Sequence, residues 1–151
     1  MLGLSKKLLY AIEAVLDIAY NAGGDPVQSM EISRRQGIPR RYLEPALQQL
    51  VRAGVLAGVR GPRGGYRLAR ERRRITLGEI TRIVEAIDGA ADPLDTESGS
   101  DLGQRVVRPI WRRLQTDSMA RLDEISIEDL CLDARGQGVA SDGFSKLDYS
   151  I

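Results

Sequence analysis

Apolar residues recur three and four positions apart through the first fifty residues, the spacing of one face of an α-helix. The first such segment covers about 5–22, and its apolar stripe consists of Leu8, Ile12, Val15, Leu16 and Ala19. The sequence GGDP at 23–26 contains residues that interrupt helices, so the first helix is predicted to end there.

A short second helix is predicted over 29–36. Ser29 suits an N-cap, and Gly37 suits the position after the last turn. This helix offers Met30 and Ile32 to a core.

A longer third helix is predicted from Pro39, which suits a first helical position, to Gly54. Its apolar stripe is Leu43, Ala46, Leu47, Leu50 and Val51, and its other face carries Arg40, Arg41, Glu44, Gln48 and Arg52. Pro45 lies within the helix, where it removes a backbone hydrogen bond, so we expect a bend or a tightened first turn.

A short helix, a glycine turn and a longer helix with a basic face form the pattern of a helix-turn-helix, whose second helix lies in the DNA major groove. Residues 55–57 and 66–68 then favour two short strands joined by GPRGG at 61–65. The glycines permit a tight turn, and Arg60, Arg63 and Arg67 give it the charge of a wing that contacts phosphates or the minor groove. The alternative is an exposed β-turn with incidental arginines.

Net charge also differs between the two halves of the chain. Through Arg74 there are 14 Lys and Arg against 6 Asp and Glu, a net charge of +8, whereas the remainder has 8 against 15, a net charge of −7. The basic front half suggests a surface that meets a polyanion.

The second half predicts a different organisation. TLGE at 76–79 fits a capping box that opens a helix to about Asp88, and the Asp-, Gly- and Ser-rich stretch 89–103 predicts a flexible loop. A long helix over about 102–124 carries an apolar stripe of Val106, Ile110, Trp111, Leu114 and Leu122. This stripe would pack against its copy in a two-fold dimer, or only against its own chain.

Together these patterns predict a mainly α fold: a winged helix-turn-helix with a two-stranded wing and a long dimerisation helix. The predicted divisions are a DNA-binding domain at 1–88, the loop at 89–103, the dimerisation and C-terminal helices at 104–133, and a disordered tail at 134–151.

Several classes of protein are disfavoured by composition. The chain has no secretory signal pattern and no apolar run long enough for a membrane span, so we expect a cytoplasmic protein that does not engage a membrane. The absence of histidine, of a phosphate-binding glycine loop and of paired carboxylates at a strand end argues against an enzyme. The acidic residues of the loop, Asp92, Asp95, Glu97 and Asp101, have no regular metal-ligand spacing, and no metal site is predicted.

The sequence GIPRRYLEPALQQLVRAGVLAGVRGPRGGYRLARERRRITLGEI resembles the Rrf family of bacterial winged-helix transcriptional regulators, and the resemblance extends from about Leu4 to Leu130. It implies a homodimer that binds a two-fold symmetric operator in double-stranded DNA, usually to repress. It also implies that the YLE segment at 42–44 and the residues before it approach DNA, and that Arg60 enters the minor groove. The full set predicted to contact DNA is Arg40, Arg41, Tyr42, Glu44, Gln48, Arg60 and Arg63, with Lys6, Lys7 and Arg67 as further phosphate contacts.

In the cluster-binding relatives, three cysteines between the last two helices of this pattern hold an iron-sulfur cluster. Here that region has no cysteine, Arg105 and Arg108 stand where the last cysteine and a histidine would be sought, and the chain has no histidine. Because a cluster needs thiolates or comparable donors, we expect no cofactor. The single cysteine, Cys131, is either a small core residue or a redox sensor.

Two other functions are compatible with the sequence. In the first, the winged-helix surface or the long helix docks another protein instead of DNA. In the second, a metabolite gates a DNA-binding regulator from a pocket between the DNA-binding domain and the long helix.

Overall fold

The computed structural model describes residues 4–88, 92–95 and 99–143. Six α-helices and one two-stranded sheet make up these ranges. The helices are α1 (Lys6–Asn21), α2 (Ser29–Gln36), α3 (Arg40–Arg52), α4 (Leu77–Asp88), α5 (Arg108–Glu124) and α6 (Ile127–Gly136), and the strands are β1 (Leu56–Val59) and β2 (Gly65–Leu68). The mainly α fold with a small wing is therefore confirmed.

The first three helices pack their apolar stripes into one core. Ile18 of α1, Ile32 of α2 and Leu47 of α3 are fully buried, and burial of each such side chain contributes roughly 1.5–3 kcal/mol relative to exposure. Met30 was predicted to join this core, but its side chain is 61% exposed, because position 30 lies on the outer side of α2. Ile32 is the only residue of α2 that is buried in the core.

The ends of α2 and α3 differ slightly from the sequence prediction. Gln28, and not Ser29, is the N-cap of α2, and it forms a reciprocal capping box with Glu31. Pro39 is the N-cap of α3 and not its first helical residue. At the start of α3, the Tyr42 N–H and the Leu43 N–H both donate to the Pro39 carbonyl, at 3.0 and 3.1 Å, and the helix continues through Pro45.

The two strands form an antiparallel hairpin in which Leu56 pairs with Leu68 and Val59 with Gly65. Tyr66 also exchanges two backbone hydrogen bonds of 2.8 Å with Val27, two residues before α2. The hairpin is therefore attached to the chain before α2 at the end of β2 that is next to its turn.

A backbone contact joins the start of α4 to the start of α6, and a side-chain contact joins α4 to α5. Thr76 and Ser126 form an isolated β-bridge next to the N-termini of α4 and α6, and Arg82 of α4 makes a bidentate ion pair with Asp123 of α5 at 2.6 and 2.7 Å. A π-helical turn at Gly103–Val107 leads directly into α5. The predicted loop at 89–103 lies partly outside the described residues, and its described part includes a 3₁₀ turn at Pro93–Asp95.

The prediction of a disordered tail from residue 134 is wrong for its described part. Helix α6 extends to Gly136, and residues 139–142, here called the C-terminal segment, bind α1. The Tyr20 hydroxyl donates to the Val139 carbonyl at 2.5 Å, and the Ser141 hydroxyl donates to the Tyr20 carbonyl at 2.6 Å. Residues 144–151 lie outside the described residues.

A buried carboxylate connects α1, α2 and the C-terminal segment. The side chain of Asp17 is fully buried and accepts hydrogen bonds from Arg35 at 2.7 and 2.9 Å and from Gln36 at 2.8 Å. Arg35 also pairs with Asp142 at 2.8 Å. Hydrogen bonding to Asp17 is the main reason that the pKa of Arg35 is raised above its ordinary value.

No helix within the described ranges is both long and apolar enough to cross a bilayer.

Candidate nucleic-acid interface

The N-terminal half of α3 presents a row of polar side chains to solvent. Arg40, Arg41, Tyr42 and Gln48 are exposed, as the sequence predicts for the outer face of this helix. Glu44 is only partly exposed, and its Oε1 atom accepts from the Ser29 hydroxyl at 2.9 Å and from Arg40 at 3.3 Å. Glu44 thus joins α2 to α3 and holds Arg40 in place, a role that sequence spacing does not reveal.

Stacked side chains extend this face toward α1. The Arg41 guanidinium lies over the Tyr42 ring, 4.7 Å from its centroid, and the Tyr42 ring lies 6.0 Å from the Tyr10 ring at an angle of 36°. Such cation–π and tilted aromatic contacts fix the orientation of the guanidinium while its N–H groups stay available for hydrogen bonds. Sequence reasoning missed Tyr10, since nothing in the spacing places it beside α3.

The wing carries cations that the protein itself does not neutralise. Arg60, Arg63 and Arg67 are exposed, and within the described part of the chain none of them pairs with a carboxylate. In contrast, Arg70 is paired with Glu79 and Arg72 with Glu128. The unpaired arginines of the hairpin therefore concentrate positive charge at its outer part.

The wing and the third helix are neighbours in space. Partial burial raises the pKa of Tyr66 in β2, and the nearby negative charge of Glu44 in α3 raises it further. Strand β1 also packs against α3, so the hairpin lies next to this helix. Lys7 of α1 is another neighbour of α3, because Lys7, Arg41 and Tyr42 line the same cavity, and Lys6 is exposed in the same first turn of α1.

The tip of the wing needs glycine at position 64. A Cβ atom there would lie 2.2 Å from the Val59 carbonyl oxygen, and this oxygen belongs to backbone and cannot swing away. We expect Gly64→Ala to lower the free energy of unfolding by roughly 1–3 kcal/mol, the usual cost of overpacking, as measured by urea denaturation. Gly58→Ala in β1 is the matched control, because a Cβ there meets nothing within 4 Å. Equal effects of the two substitutions would contradict the tight turn.

A second exposed surface lies on α5 and the turn before it. Val106, Ile110, Trp111 and Leu114 are between 41% and 54% exposed, and Leu122 is half-buried. No residue of α5 is buried within the described part of the chain. Large apolar side chains gathered on one helix face in this way mark a surface that another protein surface covers.

The segment between α4 and α5 contains no cysteine and no histidine that could hold an iron-sulfur cluster. Arg105 precedes α5, Arg108 and Arg112 lie in its first two turns, and Arg112 donates to the Leu94 carbonyl at 2.6 Å. Guanidinium groups are not metal ligands, so the residues present do not fit a cluster. Among residues 4–88, 92–95 and 99–143, no three His, Cys, Asp or Glu side chains are grouped as metal ligands.

Cys131, the only cysteine in the chain, is on α6 and is 1% exposed. Burial raises the pKa of its thiol, although the nearby charge of Arg72 acts in the opposite direction. A buried thiol with a raised pKa has little thiolate at neutral pH, which favours the role of a core residue.

Comparison with known proteins points to one family. The family model described as Rrf2, iron-dependent transcriptional regulator, matches residues 4–133. The HTH-type transcriptional regulator IscR of Aliivibrio salmonicida is 37% identical over 140 residues, covering 91% of this chain and 82% of the relative.

Solved structures agree with this match. The IscR of T. potens has 32% identity and a TM-score of 0.73, with 92% of this chain and 93% of that chain covered. CymR, the global cysteine regulator of B. subtilis, has 29% identity and a TM-score of 0.70, with 87% and 97% covered.

Proposed function

Because the chain belongs to the Rrf2 family of transcriptional regulators and is itself a DNA-binding regulator, we propose that it acts as a homodimeric repressor on a two-fold symmetric operator. The observation that carries this proposal is the hairpin packed next to α3, because its three exposed arginines pair with no carboxylate in the described part of the chain. A helix for the major groove and an adjacent basic hairpin are the two elements that a winged helix needs to read one half-site.

Within each half-site, the exposed polar face of α3 enters the major groove. Arg41 and Gln48 read base edges there, and Arg40, oriented by Glu44, contacts bases or backbone. Arg60 enters the minor groove, while Lys6, Lys7, Arg63 and Arg67 bind phosphates. Glu44 then acts mainly by positioning, since Ser29 and Arg40 already occupy its Oε1 atom.

The dimer follows from the exposed stripe on α5. One winged helix reads only half of an operator, and the second half-site lies about 34 Å further along the duplex or a multiple of that distance. Self-pairing of α5 would cover Ile110, Trp111 and Leu114 and would relate the two cationic sides by a two-fold axis.

Arg60→Ala tests the role of the wing. We expect it to weaken operator binding by roughly 1–3 kcal/mol, since it removes one minor-groove contact and no intramolecular bond. The measurement is a gel-shift titration at fixed salt, with an operator obtained by sequencing genomic DNA that the purified protein retains. Arg121→Ala on α5 is the matched control, because Arg121 is also exposed but lies on another element. Unchanged affinity of the Arg60 variant would remove the wing from the interface.

We also propose that this regulator works without the iron-sulfur cluster of its cluster-binding relatives. The support is the donor set: one buried cysteine, no histidine, and arginines just before α5 and in its first turns. Protein purified without oxygen should show no absorbance band near 400 nm and should bind the operator equally well before and after exposure to air. A band that disappears in air together with DNA affinity would contradict the proposal.

A further inference from the structure

A cavity of about 250 Å³ opens beside the N-terminal half of α3, where this helix meets α1 and α4. Its polar lining consists of Lys7, Arg41, Tyr42 and Gln49. The rest of the lining is apolar and consists of Pro45, Ala46 and the buried Val84. The cavity thus joins the DNA-facing side of the protein to its core, and it lies elsewhere than the pocket beside the long helix that the sequence analysis considered.

The charge of the lining favours an anion. Arg41 is a cation of this lining, and among the lining residues that the structure describes there is no carboxylate. Arg41 forms no ion pair within the described part of the chain, and its stacking on Tyr42 leaves the N–H groups of its guanidinium free to bond in the ring plane. A carboxylate or phosphate group beside Arg41 would receive charge-assisted hydrogen bonds from this guanidinium.

The apolar lining favours an organic body attached to that anion. Ala46 and Val84 offer a ligand only carbon atoms, so inorganic phosphate or a DNA phosphate would gain nothing from them. The cavity is smaller than the roughly 300–1,000 Å³ that drug-sized ligands occupy, which points to a compact molecule.

We propose that this cavity binds a small organic carboxylate, and that the bound carboxylate and DNA exclude each other. Arg41 and Tyr42 belong to both the cavity and the surface that we assign to DNA, so one guanidinium cannot serve both partners. The exclusion part rests on the proposed function, whereas the binding part is independent of it.

Isothermal titration of the full-length protein without DNA tests binding. The probes are benzoate and hexanoate, with neutral benzamide and inorganic phosphate for comparison. We expect at least one carboxylate to bind one site per chain, with benzamide and phosphate weaker by about tenfold or more, a difference of about 1.4 kcal/mol. No heat from either carboxylate up to about 10 mM, or equal binding of benzoate and benzamide, would overturn the proposal.

Two variants locate the site. Ala46→Leu fills the cavity without changing its charge and should weaken carboxylate binding by about tenfold or more, whereas Ala53→Leu makes the same change at an exposed position outside it and should have no effect. Arg41→Gln, which keeps most of the side-chain volume, should also lose carboxylate binding, and circular dichroism establishes that each variant is folded. Retained binding in both Ala46→Leu and Arg41→Gln would overturn the proposal.

A competition assay then tests whether the carboxylate and DNA exclude each other. The carboxylate that binds should release the operator from the native protein and from Ala53→Leu in a fluorescence anisotropy assay, but not from Ala46→Leu. Carboxylate binding without any release would overturn the exclusion. Failure of every form to bind DNA would count against the proposed function, and the calorimetric result would still stand.

Discussion

Ile110→Asp should convert the protein to a monomer and lower its operator affinity roughly 100-fold or more, a loss of at least about 2.7 kcal/mol. Ile110 is 54% exposed at the middle of the apolar stripe on α5. In the proposed dimer two aspartates would face each other across the two-fold axis, and an uncompensated buried charge costs about 3–5 kcal/mol. Light scattering during gel filtration gives the oligomeric state, and gel-shift titration gives the affinity.

The control for this prediction is another position on the same helix. Thr116→Asp introduces the same charge at an exposed residue that lines the groove between α5 and α4, away from the stripe. It should leave both mass and affinity unchanged. A dimeric Ile110→Asp protein with native affinity would show that the stripe is not the dimer contact, while a monomer that retains full affinity would separate dimerisation from DNA binding.

Arg35→Met should strongly destabilise the DNA-binding half, with a loss of about 3–5 kcal/mol in the free energy of unfolding. It removes both hydrogen bonds from the guanidinium to Asp17, whose carboxylate has no exposed surface. A protein of this length loses roughly 2–4 °C in Tm per kcal/mol, so we expect a decrease of about 10 °C in calorimetry.

Two further variants separate the orphaned charge from the loss of an arginine. Arg34→Met changes the exposed neighbour on α2 and should have an effect within about 0.5 kcal/mol. The double variant Asp17→Asn with Arg35→Met should be more stable than Arg35→Met alone, because the unpaired charge is gone. If the double variant is instead less stable than the single one, the carboxylate is not the source of the loss.

The sequence predicted the helices of the front half well because each has an apolar stripe that one core buries. Leu43, Leu47 and Leu50 are spaced for one face of α3, and all three are buried. The wing could be predicted equally well, since a cluster of glycine and arginine between two short apolar runs favours a hairpin over other structures.

What the sequence could not show are contacts between residues far apart in the chain that share no periodic pattern. The carboxylate of Glu44 was assigned to DNA because it lies on the polar face, whereas the hydroxyl that occupies it comes from Ser29, fifteen residues away. The segment after α6 has no apolar stripe, so its attachment through Tyr20 and Ser141 was missed. The stripe on α5 was predicted, and its pairing with a second copy is the proposal that Ile110→Asp tests.

Ile127 and Cys131 of α6 are almost fully buried in the same core as α1, and this sets where the molecule can be divided. A fragment that ends after α4 would contain every residue assigned to DNA. It would also expose to water the face of α1 that α6 covers. Anyone who grafts this DNA-reading unit onto another protein must therefore transplant two pieces of chain, the front half and α6 with the residues that follow it. The same constraint applies to natural rearrangement of genes. A single break near residue 88 would separate α1 from α6, so the front half alone would not form a working module.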